Sequence, residues 1–164
     1  MFGVGKNDET NKGTGNTVAI PGVEKRQEKI DHELAEDEFE RFCESWEIDN
    51  DTENMSEEDR DEFNSQKSKL MNAIKRNRLV FHDDDESFSY TFAKPEKSKC
   101  DNIIIKRPQG SALIEMDRYK EREGVHKTYA MLGAMTGKDT KFFSGLDGID
   151  LKVFMAVIQL FLAS

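Results

Sequence analysis

The sequence predicts an α+β fold that is mostly helical, with a small antiparallel sheet (a hairpin plus a third strand) and a terminal apolar helix. Two acidic stretches in the first half carry apolar residues at helical spacing. Residues 79–92 contain alternating apolar and polar side chains, and residues 151–162 are apolar almost throughout. We expect three parts: a disordered arm at 1–23, an acidic helical segment at 24–78, and a small α+β domain with C-terminal helices at 79–164.

The charge is distributed unevenly along the 164 residues. Residues 1–86 contain 24 Asp and Glu against 12 Lys and Arg, a net charge of −12, whereas residues 87–164 contain 9 against 12, a net charge of +3. Lys and Arg provide most of the affinity of proteins for nucleic-acid phosphates and for acidic membranes. The acidic front half therefore argues against nucleic acid and membranes as partners.

The cysteines and the N-terminal residues indicate the compartment. Cys43 and Cys100 are far apart and outside any C-x-x-C spacing, so neither disulfides nor a zinc site are indicated. The chain starts without the basic and apolar stretches of a secretory signal, and no stretch reaches the roughly 18 apolar residues of a membrane span. We expect a soluble protein of a reducing intracellular compartment.

The first 23 residues are rich in Gly, Asn, Thr and Lys, a composition that favours disorder because little can be buried. The run Val-Ala-Ile at 18–20 is either a docking patch or three apolar residues without a role. Residues 24–47 are predicted to form a helix with one narrow apolar stripe, which packs within the chain or on a partner helix, with Trp46 as its anchor. The stripe consists of Ile30, Leu34, Phe39, Phe42 and Trp46.

A second helix is predicted over residues 57–76. Ser56 is placed to cap it, with Asp59 completing a capping box. The preceding residues 49–54 resemble the start of a calcium loop, but the positions that need a glycine and a bidentate glutamate carry other residue types. We interpret them as an inter-helix loop. The predicted buried face comprises Phe63, Leu70, Met71 and Ile74.

Residues 79–92 give the clearest hairpin signal, with strands at 79–81 and 87–92 around an acidic turn at 83–86. Four consecutive carboxylates at a hairpin tip are usually solvated turn residues, and a metal site is the alternative. The β-branched run 103–105 predicts a third strand.

Two short helices are expected after the sheet, from Ser111 to Gly137 with a break near Gly124. An Asp within 147–150 is placed to cap the last helix, which is apolar almost all round and too short to span a bilayer. We expect this helix to be central in the core, with one face available to a partner. The predicted partner-binding residues are Val153, Phe154, Val157, Ile158, Phe161 and Trp46.

Catalytic groups are not indicated. The three histidines, His32, His82 and His126, lie in different segments without a metal-ligand spacing, and the glycine-containing stretches lack the spacing of phosphate-binding loops. Carboxylate pairs carry no specificity in a chain with 33 acidic residues. We therefore expect a protein that is not an enzyme, with no catalytic, cofactor-binding or metal-binding residues.

The order of features from Phe88 onward resembles the tail assembly chaperones of long-tailed bacteriophages. In that family a sheet segment ending in an Arg-Pro-like step precedes helices, a Leu-Thr-Gly-like element follows, and a Leu-Asp-x-x-Asp step opens the last apolar helix. The corresponding features here are Lys94–Pro95, Ile105–Pro108, Met131–Gly137, Leu146–Leu151 and the closing Phe161–Leu162.

The resemblance implies a function and partners. Such a protein coats the tape measure protein during tail assembly in the host cell cytoplasm, helps to recruit tail tube subunits, and is absent from the finished tail. The expected partners are the tape measure protein and the tail tube protein, with a homo-oligomer as a further option. The acidic front half is larger than is usual in that family.

Two other functions fit parts of the sequence. The net charge of −12 in the front half suits a DNA mimic that inhibits a host nucleic-acid enzyme, although the basic residues at 25–29 and 67–78 interrupt the negative face. A small metal-dependent enzyme would need tight binding of divalent ions at 49–53 or 83–86.

Overall fold

The structure, a computed structural model, describes residues 29–164. The predicted arm at 1–23, its Val-Ala-Ile run and the first residues of the predicted first helix lie outside the described residues. Within 29–164 the chain forms seven α-helices and a three-stranded antiparallel sheet, so the predicted α+β class is confirmed.

The two front helices begin at side-chain caps. Helix α1 spans His32–Trp46, and its N-cap Asp31 accepts a hydrogen bond from the backbone N–H of Leu34 at 3.0 Å. Helix α2 spans Glu57–Lys75. The predicted Ser56 cap is confirmed, because its Oγ accepts a hydrogen bond from the Asp59 N–H at 3.2 Å.

The sheet has the order β1-β2-β3 and comprises Leu79–His82, Ser87–Thr91 and Asn102–Lys106. The predicted hairpin and third strand are therefore confirmed. The register aligns Phe81 with Phe88 and Phe88 with Ile105, and these side chains share the buried face. The opposite face is half-exposed.

Two short helices were not predicted from the sequence. Helix α3, Pro95–Ser98, follows β2 and has proline in its first turn, where the missing N–H costs nothing. Helix α6, Thr140–Ser144, is capped by Asp139, which accepts a hydrogen bond from the Phe142 N–H at 2.9 Å. Both lie in segments that are too short for an apolar periodicity to develop.

The remaining helices follow the third strand. Helix α4 spans Gly110–Asp117, a 3-10 turn spans Glu121–Glu123, α5 spans Gly124–Thr136, and α7 spans Gly148–Ala163. The predicted break near Gly124 is where α5 begins. Helix α5 ends at Gly137, whose φ of 71° is the left-handed conformation that favours glycine.

The buried apolar side chains form one hydrophobic cluster that includes both halves of the described chain. Helix α7 packs on α2, and α1 packs on α2 and β1. Phe42 of α1 lies edge-on to Phe88 of β2, with ring centroids 4.8 Å apart. The segments expected separately at 24–78 and 79–164 thus contribute, within the described residues, to the same core.

Candidate functional site

The predicted partner-binding residues of the terminal helix lie inside the protein. Val153, Phe154, Val157 and Ile158 are at most 4% exposed. A helix that is apolar on every side is most stable when other elements surround it, and here α2, α5 and the sheet do so. The four predicted residues thus lie on the buried face of α7, whereas Ile149 and Leu162 of the same helix are 50% and 47% exposed. Binding through the four predicted residues would require α7 to leave the core.

Trp46 and Phe161 complete the predicted partner set. Trp46 is 1% exposed, and its indole Nε1 donates a hydrogen bond to the Glu86 carbonyl oxygen at 3.0 Å. Its ring lies edge-on to the half-buried Phe161, with centroids 6.1 Å apart. Trp46 therefore fixes α1 to the hairpin turn and to the end of α7, and it is not exposed as a partner anchor.

A buried carboxylate lies at the centre of the fold. Asp150, in the first turn of α7, is 0% exposed. Its oxygens accept hydrogen bonds from the Tyr90 hydroxyl at 2.7 Å, from the Ala93 N–H at 2.7 Å and from the Lys94 N–H at 3.3 Å. Nη1 of Arg78 is 3.9 Å from the carboxylate. Asp150 thus connects α7 to the end of β2 and to the start of β1.

The cluster of Asp150, Tyr90 and Arg78 has a structural role. Burial, followed by the hydrogen bond to Asp150, raises the pKa of the Tyr90 phenol, so Tyr90 remains a neutral donor. Among the described residues, the Arg78 Nε is a buried side-chain polar atom without a hydrogen-bond partner. The sequence indicated only that an Asp would cap α7. Asp147 is that cap, accepting from the Ile149 N–H at 3.0 Å, and Asp150 was not foreseen as a core residue.

In the two acidic stretches considered as metal sites, carboxylates form hydrogen bonds and an ion pair with groups of the protein. In the 49–54 loop, Asp49 accepts from the Asp51 N–H at 2.9 Å, and Asp51 accepts from the Glu53 N–H at 3.0 Å. At the hairpin tip, Asp83 pairs with Arg41 at 2.5 Å. Across residues 29–164, no group of three or more His, Cys, Asp or Glu side chains is arranged to hold a metal ion.

The histidines and cysteines lie in separate environments. His82 Nε2 is 2.9 Å from the Ser89 hydroxyl, His126 stacks on Tyr119, and His32 lies on the exposed start of α1. Burial raises the pKa of the Cys43 thiol to about 12, which makes it a poor nucleophile. Ser89 and His82 are within hydrogen-bond distance of each other, but within residues 29–164 no acidic side chain forms a hydrogen bond with His82 that would orient it as a base.

The residues that carry the chaperone resemblance lie where elements begin and end. Arg107 follows β3 and donates to the Ser45 carbonyl oxygen at 3.1 Å, Gly137 ends α5, and Asp147 begins α7. No protein-family model, curated protein or solved structure matches this chain.

The largest exposed apolar side chains of the rear half include three on the α4–α5 hairpin. Leu113 is 44% exposed, Ile114 is 63% exposed and Val125 is 57% exposed. Helix α4 packs mainly on α5, so its other sides face solvent. We call Leu113, Ile114 and Val125 the α4–α5 surface. Within residues 29–164, no helix combines the length and apolar character needed to cross a membrane.

Proposed function

We propose that this chain is a tail assembly chaperone of a long-tailed bacteriophage, which binds the tape measure protein and helps to recruit tail tube subunits without catalysing a reaction. The observation that carries the proposal is the order of features from Phe88 to Leu162, which resembles that family. Arg107, Gly137 and Asp147 lie at element boundaries, as the resemblance leads one to expect, and this placement supports the proposal.

The α4–α5 surface is the proposed contact with the tape measure protein. A protein that binds a helical client contacts it through apolar side chains exposed on its own surface. Leu113, Ile114 and Val125 provide such side chains without disturbing the core, whereas the buried Val153, Phe154, Val157 and Ile158 of α7 do not. The acidic helices α1 and α2 keep the complex soluble through their net negative charge.

Co-expression with the tape measure protein that the proposal predicts in the same genome tests the function. We expect a soluble complex that co-purifies at stoichiometric amounts. The double variant Leu113→Glu with Ile114→Glu should reduce the recovered client at least about tenfold, because two desolvated apolar contacts are replaced by charges. Deletion of residues 151–164 is unsuitable, because it removes most of the core helix α7.

Leu34→Glu is the matched control. Leu34 lies on α1, outside the α4–α5 surface, and is 56% exposed. The same leucine-to-glutamate change can therefore be made there without disturbing the core. This control should bind the client as the unmodified chain does. Absence of any association in co-expression would refute the chaperone function, and equal loss with Leu34→Glu would refute the assignment of the surface.

The acidic-inhibitor function rests on the charge of the front half. Its surface is interrupted by positive side chains, since Lys67 pairs with Glu36 at 2.8 Å and Arg41 pairs with both Glu38 and Asp83. Recovery of a host nucleic-acid enzyme in place of the tape measure protein, with an affinity that falls steeply with salt, would favour this alternative.

A further inference from the structure

The two outer edges of the sheet differ in how their backbone groups are satisfied. On β1, the outward N–H of Phe81 donates to the Glu38 carboxylate at 2.5 Å, so α1 covers this edge. On β3, the register pairs Tyr90 with Ile103 and Phe88 with Ile105, and the Phe92 N–H donates to the Asp101 carbonyl oxygen at 3.0 Å. The backbone N–H and C=O groups of the odd-numbered residues of β3 therefore point towards β2.

The alternate residues of β3 direct their N–H and C=O groups away from the sheet. In an antiparallel ladder, residues of the non-hydrogen-bonded pairs point their backbone groups to the other side of the strand. These residues are Asn102, Ile104 and Lys106, and no residue within 29–164 forms a hydrogen bond with their backbone N–H groups. An edge of this kind is a template for a further strand.

A groove runs along β3, with the end of α5 as its other wall. The groove, of about 520 Å³, lies between Asn102–Lys106 and the end of α5 at Ala134–Lys138. Ile104, at the middle of the strand, is 42% exposed, although β-branched side chains are usually buried in sheets. The free backbone groups and the exposed isoleucine therefore lie along one open edge.

We propose that this edge pairs with β3 of a second copy of the chain in an antiparallel, two-fold symmetric arrangement centred on Ile104. Ile104 then lies opposite Ile104 of the second copy, and Asn102 lies opposite Lys106. Because all three residues direct their backbone groups outward, this register places donors opposite acceptors at every outward position. The result is a continuous six-stranded sheet across the dimer.

The charges on β3 favour a second copy over a strand of arbitrary sequence. Asp101 precedes the strand and Lys106 ends it, whereas Arg107 is already paired with Glu86 and Glu47 of its own chain. Antiparallel pairing brings the acidic end of each strand to the basic end of the other. No like charges lie directly opposite one another, and the central isoleucines cover each other.

A charge-swap experiment on the full-length chain tests the proposal. We expect the unmodified chain to move from 18.8 kDa to twice that mass as its concentration rises from about 1 μM to about 1 mM, measured by light scattering after size exclusion. Ile104→Asp and Ile104→Lys should each raise the dimer dissociation constant at least about tenfold, because like charges meet at the two-fold axis. Mixing the two variants should restore the dimer.

Val80→Asp is the matched control, because Val80 aligns through Ser89 with Ile104 on the same sheet face but belongs to β1. It should dimerise like the unmodified chain. Ile104→Pro removes only an outward N–H and should also prevent dimerisation. Circular dichroism verifies that each variant is folded. A chain that stays monomeric to about 1 mM, or a dimer unaffected by all three Ile104 variants, would overturn the proposal.

Discussion

Asp150 shows what a single residue contributes to this fold. Its carboxylate is fully buried and accepts three hydrogen bonds from β2 and the residues that follow, while the Arg78 guanidinium lies 3.9 Å away. A buried charge is tolerated only when other groups replace its hydration. Two backbone N–H groups beyond the end of β2 would in turn be unsatisfied without it.

Asp150→Asn should lower the free energy of unfolding by about 2–4 kcal/mol. The amide oxygen can still accept from Tyr90 and Ala93, but its NH₂ group then faces the Lys94 N–H, and Arg78 loses its counter-charge. Urea denaturation followed by circular dichroism measures the change. Asp147→Asn is the control, because asparagine is an equally good N-cap, and it should change stability little. A fully stable Asp150→Asn protein would contradict this role.

At the level of an element, the end of α5 depends on two glycines. The Gly137 N–H donates to the Gly133 carbonyl oxygen at 2.8 Å, and the chain then turns back over the helix. A Cβ on Gly133 would lie 2.7 Å from the Lys138 carbonyl oxygen, closer than such atoms approach. The turn that leads from α5 to α6 therefore requires a residue without a side chain at position 133.

Gly133→Ala should destabilise the protein by about 1–3 kcal/mol, because the backbone at Lys138 must shift to admit the methyl group. Gly124→Ala, at the start of the same helix, meets no atom within 4 Å. It should leave stability unchanged or raise it by up to about 1 kcal/mol, since alanine is the better helix former. Thermal unfolding compares the pair, and equal midpoints for both variants would be inconsistent with a close approach at Gly133.

At the level of the whole molecule, the acidic helices and the sheet share one core. Phe39, Phe42 and Trp46 of α1 are buried with Phe88 of β2, while the charged residues of α1 and α2 face outward. The strong difference in charge between the two halves is therefore a property of the surface. It does not divide the interior of the described residues into separate units.

Unfolding in urea should consequently be a single cooperative transition. Trp46, the only tryptophan of the chain, reports on the contact between α1 and the hairpin, whereas far-ultraviolet circular dichroism reports on all helices. The two signals should change at the same urea concentration. A fluorescence change that precedes the loss of helix would show that residues 24–78 form a separate unit.

Several local features were predicted correctly because they depend on neighbouring residues. The Ser56 cap requires an N–H three residues away, and the hairpin requires only the alternation of apolar side chains around a polar turn. The break near Gly124, where α5 begins, was likewise predicted from a single residue type in the sequence. Helix α3 and helix α6 were missed, since each is shorter than the window over which periodicity is visible.

The amino-acid sequence by itself determined the class of fold, most of its longer elements and the concentration of negative charge in the front half. The tertiary structure decided which apolar residues are free to bind. An all-apolar helix such as α7 is compatible with a core or an interface, and only the elements packed around it show that Val153, Phe154, Val157 and Ile158 are buried. The same holds for Asp150 and the open edge of β3, because each depends on residues distant in the sequence but adjacent in space.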